Sequence, residues 1–247
     1  MHPDPDLHRA LLAASRITTT EAVRGYEMAQ DGCLPASGFA RFFEMMRWEL
    51  GRRGVIADDA MPKRGVVRAQ THVYGAPLRF PDTWTGRTHL VHVGGSSLHY
   101  GHDITSARGH VVVRARTVIV LLDAQGRPAT VPPYLRAYAD TALETPAPLT
   151  AEAVDWTGTA QHQVVVRQSD QDSFRHVNQA RYIDFVDDAR RAVGLPDIRS
   201  LSVSYEREAL AGDTLQVELR EVAEARHAFR MVRESDGVVV NQGVIAT

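Results

Sequence analysis

The sequence predicts an α+β protein made of two consecutive copies of one unit, each a long helix followed by antiparallel strands. Three observations carry this reading. Phe39-Ala40-Arg41-Phe42-Phe43-Glu44 lies over Gln179-Ala180-Arg181-Tyr182-Ile183-Asp184 without a gap. Tyr74, Asp82 and Thr83 repeat at the internal spacing of Tyr205, Asp213 and Thr214. Between the two copies runs a stretch with Pro146 and Pro148 and no sustained periodicity, as a linker has. The expected organisation is a flexible amino terminus over 1–16, a first unit over 17–140, a linker over 141–160 and a second unit over 161–247.

Met1 to Ser15 places acids ahead of a short apolar run, Ala10 to Ala14, which is not the pattern of a secretory signal. Phe39, Phe42, Phe43, Met46 and Leu50 then follow the three-four spacing of one buried helical stripe. Ser37 is the expected N-cap of this helix, and Gly51 or Gly54 its stop. Val111 to Leu122 is a long β-branched run, as in a central strand. In the second copy Asn178 is the expected N-cap, Tyr182, Ile183, Val186, Ala189 and Val193 form the stripe, and Gly194 ends it. Leu215, Val217 and Leu219 alternate with polar residues in the period of a half-buried strand.

Composition narrows the class. Lys+Arg 28 against Asp+Glu 30 gives a formal charge of -2, without the basic excess of a nucleic-acid or anionic-membrane binder. A single cysteine, Cys33, excludes an internal disulfide and fits a reducing compartment. No stretch approaches the ~18 apolar residues of a membrane span. These features predict a cytoplasmic chain with neither nucleic acid nor membrane as partner.

The chemistry concentrates in Asp170-Gln171-Asp172-Ser173-Phe174-Arg175-His176-Val177-Asn178, a turn that runs directly into the second helix. A helix start carries unpaired N–H groups and a partial positive charge, so it can hold a developing oxyanion. An acid and a histidine beside it can activate water. The first copy lacks this equipment: Asp172 falls on Gly32, His176 on Ala36, Asn178 on Gly38, and a later acid, Glu208, on Pro77. Groups needed only to build the helix entry would be expected in both copies, so their confinement to one favours a single chemical site. The competing reading is that His176 and Asn178 merely cap and brace the helix.

The segment HVNQARYIDFVDDAR resembles the helix entry of hotdog-fold thioesterases, whose pattern is roughly D-x-D-x-x-x-H-V-N-N-x-x-Y. Leu201 to Ala209 resembles the strand that follows, and Val131-Pro132-Pro133-Tyr134-Leu135 a tail common in first units. Two such units in one chain are similar to acyl-ACP thioesterases. The resemblance implies a tandem, or double, hotdog with two antiparallel sheets, each wrapping a long helix. It implies hydrolysis of an acyl thioester, carried on acyl carrier protein or CoA, to free acid and thiol. Asp172, His176 and Glu208 are then the expected catalytic residues, and Asn178, Phe174 and Val177 the expected substrate-binding ones, with no cofactor and no metal. Water activation and direct carboxylate attack both remain open, as do a monomer and a homodimer. A hotdog hydratase or dehydratase and a catalytically silent acyl-binding module are the alternatives. Phe174 supports the silent module, because it stands where the family commonly has Asn and can neither donate nor accept a hydrogen bond.

Other residues weigh less. His89, His92, His99 and His102 invite a metal reading, but a spacing of three along a strand sends side chains to opposite faces. Cys33 reads as a small buried packing residue, Glu44 and Asp184 as a solvated face, and Arg41 and Arg181 as structural because both copies carry them. Arg52, Arg53, Lys63, Arg64 and Arg68 form the basic cluster nearest to a carrier-binding role.

Overall fold

The computed structural model describes residues 15–52, 64–140 and 144–247, so Arg53, Gly54, Lys63 and most of the amino-terminal segment lie outside the described residues. The chain forms two compact units, the second of which includes two short segments from the first half of the sequence. The first comprises the chain up to Pro35, Arg41–Arg68 and Gly75–Pro146; the second takes Ala36–Ala40, Ala69–Tyr74 and Ala147–Thr247.

In the first unit β1 (Arg16–Ala22), β3 (Thr83–Val93), β4 (Ser97–Ser106) and β5 (Val111–Leu122) pair in that order, all antiparallel. The strand β2 (Arg64–Tyr74) follows β5. The β-branched run expected to be a strand is β5 itself, flanked on both sides. Helix α1 (Ala36–Arg52) buries Phe42, Phe43, Met46 and Leu50, the four stripe residues that belong to this unit. The Phe42 ring stacks on Trp84, and Phe43 on His102, each at 4.5 Å.

In the second unit the end of β2 pairs with β7 (Ser200–Tyr205), followed by β10 (Val239–Ala246), β9 (Arg226–Arg233), β8 (Thr214–Ala223) and β6 (Ala160–Val165), again antiparallel throughout. Helix α2 (Gln179–Ala192) lays Tyr182, Ile183, Val186 and Ala189 into a core with Leu201, Val203, Leu215, Val217, Phe229 and Met231. Gly243 on β10 leaves room for its neighbouring strands: a Cβ there would collide with the Ser202 carbonyl oxygen on β7 and with the Phe229 ring on β9. The repeated Tyr…Asp-Thr positions mark equivalent joints, since β2 ends at Tyr74 and β3 starts at Thr83, while β7 ends at Tyr205 and β8 starts at Thr214.

Two details differ from expectation. Helix α1 begins at Ala36, so Ser37 is a buried residue of its first turn and not the N-cap; Pro35 precedes the first helical residue with its φ already preset. Of the two expected stops for this helix, Gly51 lies inside α1 and Gly54 lies outside the described residues. Val193 is 46% exposed, because α2 ends at Ala192 and the chain turns away through Gly194 at φ 74°. Buried Arg190 secures that end, bonding Asp187, Asp197 and the carbonyls of Leu195 and Pro196. A cation there also complements the negative end of the helix dipole.

Candidate active site at the entry to the second helix

The turn before α2 is a small hairpin whose hydrogen bonds are nearly all local. Asp172 N–H donates to the His176 carbonyl at 3.0 Å, and Arg175 N–H to the Asp172 carbonyl at 3.0 Å. Arg175 sits at φ 65°, the left-handed region that this tight reversal requires. The Asp172 carboxylate accepts the Phe174 N–H at 2.8 Å through Oδ1, closing an Asx turn. Phe174 is thereby held at the tip, 61% exposed.

The turn is joined to the helix and to the loop after β7. Asn178 caps α2 as its sequence position suggests, with Oδ1 accepting the Ala180 N–H at 2.9 Å. Its own N–H donates to the Asp170 carbonyl at 2.9 Å. Val177 N–H donates to the Ala209 carbonyl at 3.1 Å, and Ala209 N–H donates to the Tyr182 hydroxyl at 3.1 Å. Residue 209 is thus pinned to the turn on one side and to the helix on the other, which brings Glu208 beside His176.

That pairing is the central contact of the site: His176 Nε2 lies 2.9 Å from Glu208 Oε2, both side chains partly open to solvent. Glu208 is braced from behind. Arg233 donates to its carbonyl at 3.3 Å and is itself held by Asp236 at 2.9 Å and Asp213 at 3.4 Å. Glu206 and Arg207 N–H both donate to the Val240 carbonyl, at 2.9 and 3.1 Å.

The structure therefore brings together His176, Glu208 and the capped start of α2. The side-chain partner of His176 is Glu208; Asp172 reaches His176 through the backbone, and its carboxylate serves the turn. Val177 points the other way, packed in the core of the second unit with 6% of its surface exposed. Tyr182 and Arg233 complete the framework; the sequence marks Tyr182 as a stripe residue without a part in the site, and it does not mark Arg233. A tyrosine inside an otherwise apolar helical stripe is the one signal available, since a buried hydroxyl needs a partner. Burial pushes the Tyr182 hydroxyl well above the ordinary tyrosine range, so it stays protonated.

The remaining candidates have structural settings. Cys33 is half-buried, its N–H bonded to Asp31 Oδ1. Arg181 pairs with Asp184 at 3.0 Å and with buried Asp170 at 3.5 Å. Glu44 accepts from the Trp48 indole. Buried His102 lies between the hydroxyls of Thr88 and Thr117 at 2.8 and 3.1 Å. His92 and His99 face each other across β3 and β4, with ring centroids 4.8 Å apart, because a bulge between Leu90 and His92 shifts the register. Burial, then Arg116 and His92, lower the His99 pKa to about 4. Among the described residues no group of three or more His, Cys, Asp or Glu is arranged to hold a metal ion. Among them too, no helix is long and apolar enough to cross a membrane.

Comparison with known proteins agrees with this architecture. Residues 28–138 match the thioesterase-like superfamily, and residues 155–246 match the acyl-ACP thioesterase C-terminal domain. No curated protein matches the sequence. Among solved structures, an acyl-ACP thioesterase from Bacteroides thetaiotaomicron superposes with a TM-score of 0.81 at 16% identity, over 95% of this chain and 98% of the other. The 12:0-ACP thioesterase of Umbellularia californica gives 0.79 at 17% identity, over 94% and 96%. At such identities the likeness establishes the fold, and the two sequence matches cover one unit each. The chain thus has the double-hotdog fold, with a first unit that matches the thioesterase-like superfamily and a second that matches the acyl-ACP thioesterase C-terminal domain, as a thioester hydrolase would.

Proposed function

We propose that this protein releases a free acid from an acyl thioester carried on an acyl carrier protein, with His176 and Glu208 as the water-activating pair. The observation that carries the proposal is the 2.9 Å contact between His176 Nε2 and Glu208 Oε2 beside the amino end of α2. A carboxylate on Nε2 fixes the tautomer with the proton on that nitrogen and leaves Nδ1 as the base. Water gives its proton to Nδ1 as its oxygen bonds to the thioester carbon. The resulting imidazolium is stabilised by Glu208. The carbonyl electrons move onto oxygen, where the helix start favours negative charge. Collapse breaks the C–S bond, and the proton on His176 passes to the departing sulfur. Asp172 is a positioning residue in this scheme: it shapes the turn that presents His176. The carrier rather than CoA is favoured because the family match over the second unit is to acyl-ACP thioesterases.

The test is free-thiol release from matched acyl groups on carrier protein and on CoA. The proposal expects carrier thioesters to be turned over with the higher kcat/KM. Equal or better use of CoA thioesters would remove the carrier assignment, and absence of thiol release from both would remove the hydrolytic one.

A further inference from the structure

The second unit contains a polar group that the scheme above does not use. Asn241 on β10 is fully buried, and among the described residues neither its Oδ1 nor its Nδ2 has a hydrogen-bond partner. Leaving a buried polar group unsatisfied is costly, so native interiors rarely do so without a reason. The backbone around Asn241 is built to aim it inward. A bulge interrupts β10 between Val239 and Asn241, so Val240 and Asn241 together oppose the stretch of β9 at Met231. Bulges of this kind redirect a side chain and occur beside active sites. Cross-strand partners share a face. The partners of Asn241 are Tyr205 on β7 and Met231 on β9, and both pack on the core under α2.

Its neighbours tie it to the candidate site. The Val240 carbonyl, one residue earlier, holds the N–H groups of Glu206 and Arg207 in the loop that carries Glu208. The Tyr205 hydroxyl lies 2.7 Å from Gln70 Oε1 and 3.1 Å from the carbonyl of Gln179, the first residue of α2. Asn241 therefore stands on the sheet beneath the first turn of the helix that His176 leads. The side chains packed around it are apolar, so an acyl group admitted between α2 and this sheet would meet a single amide among them.

We infer that Asn241 is a recognition point for an oxygen on the acyl chain, so that the preferred substrate is an oxo- or hydroxyacyl thioester and not a plain saturated one. A ketone accepts from Nδ2–H, and a hydroxyl donates to Oδ1. A saturated chain leaves both atoms unsatisfied and is disfavoured. This inference rests on the proposed hydrolytic reading of the same site.

The experiment compares thiol release from carrier-bound 3-oxoacyl, 3-hydroxyacyl and saturated acyl groups of equal length, with the wild type, Asn241→Leu and Asn241→Val. The expected result is at least a tenfold higher kcat/KM for the oxygenated chains in the wild type. That preference disappears in both variants, through loss on the oxygenated chains, while turnover of the saturated chain persists. Thermal unfolding of the variants should not shift downward, because an apolar side chain there removes two unsatisfied atoms. Equal use of the three chains by the wild type overturns the inference, as does a preference that survives in a folded variant. Release from none of the chains instead defeats the hydrolytic reading itself.

Discussion

Replacing Glu208 by Gln isolates the contact on which the proposed chemistry depends. Gln keeps the length and a hydrogen-bond acceptor, so His176 retains its orientation and only the charge is lost. Glu208 is 58% exposed and His176 33%, so a water-like medium is the fitting one. At the observed 2.9 Å the attraction between carboxylate and imidazolium is then about 1.4 kcal/mol. The imidazolium exists only once His176 has taken the proton from water, so this stabilisation belongs to the transition state. Its loss corresponds to about a tenfold fall in kcat, with KM nearly unchanged. Stability should hardly respond, because a solvent-exposed pair contributes at most about 1 kcal/mol. Steady-state thiol release and thermal unfolding on the same preparations check both halves of the expectation. Full activity in Glu208→Gln would refute the pairing, and a large fall in melting temperature with normal turnover per folded molecule would make Glu208 a structural residue.

Three further outcomes follow from the geometry. Asn178→Ala removes the Oδ1 acceptor for Ala180 N–H and should lower stability by about 0.5–2 kcal/mol, read by urea unfolding. Gly243→Ala forces a Cβ against the Ser202 carbonyl and the Phe229 ring, and should cost more than ~2 kcal/mol or prevent soluble expression; a variant as stable as wild type would contradict the packing described. The depressed pKa of His99 has a defined sign. Between about 4 in the folded chain and 6.5 in the unfolded one, the unfolded state binds the extra proton, so stability falls as pH drops from 6.5 toward 4. Melting temperature followed over that range should decline less steeply in His99→Gln than in wild type.

The parts of the fold that periodicity controls were legible in the sequence. The run Val111 to Leu122 is one strand, the alternation at Leu215, Val217 and Leu219 is a buried face, and Asn178 and Gly194 bracket the second helix. Each of these is a local preference acting in register with burial. Ser37 fits the N-cap pattern because a small hydroxyl residue near a helix start suits either of two frames; α1 takes the earlier one, starting at Ala36 directly after Pro35. Val193 fits the helical spacing but falls just beyond the last turn, where spacing no longer dictates burial. At the site, the histidine, its motif and the later acid were visible as residue types. Which carboxylate meets His176 was not, because it depends on Ala209 being pinned between Val177 N–H and the Tyr182 hydroxyl. The inward turn of Asn241 was likewise invisible: it depends on a bulge in β10 that only the register against β9 reveals.

The proposal that the chemistry resides on His176 is tested most directly by His176→Ala under single-turnover conditions on a carrier-bound acyl thioester. The side chain is one-third exposed and its removal leaves the backbone bonds of the turn in place, so the variant should fold. The account predicts a loss of at least about a hundredfold in the rate of C–S cleavage, the scale of a missing general base. Cleavage within a few-fold of wild type in the folded variant would contradict it and move the chemistry to a carboxylate acting without the histidine.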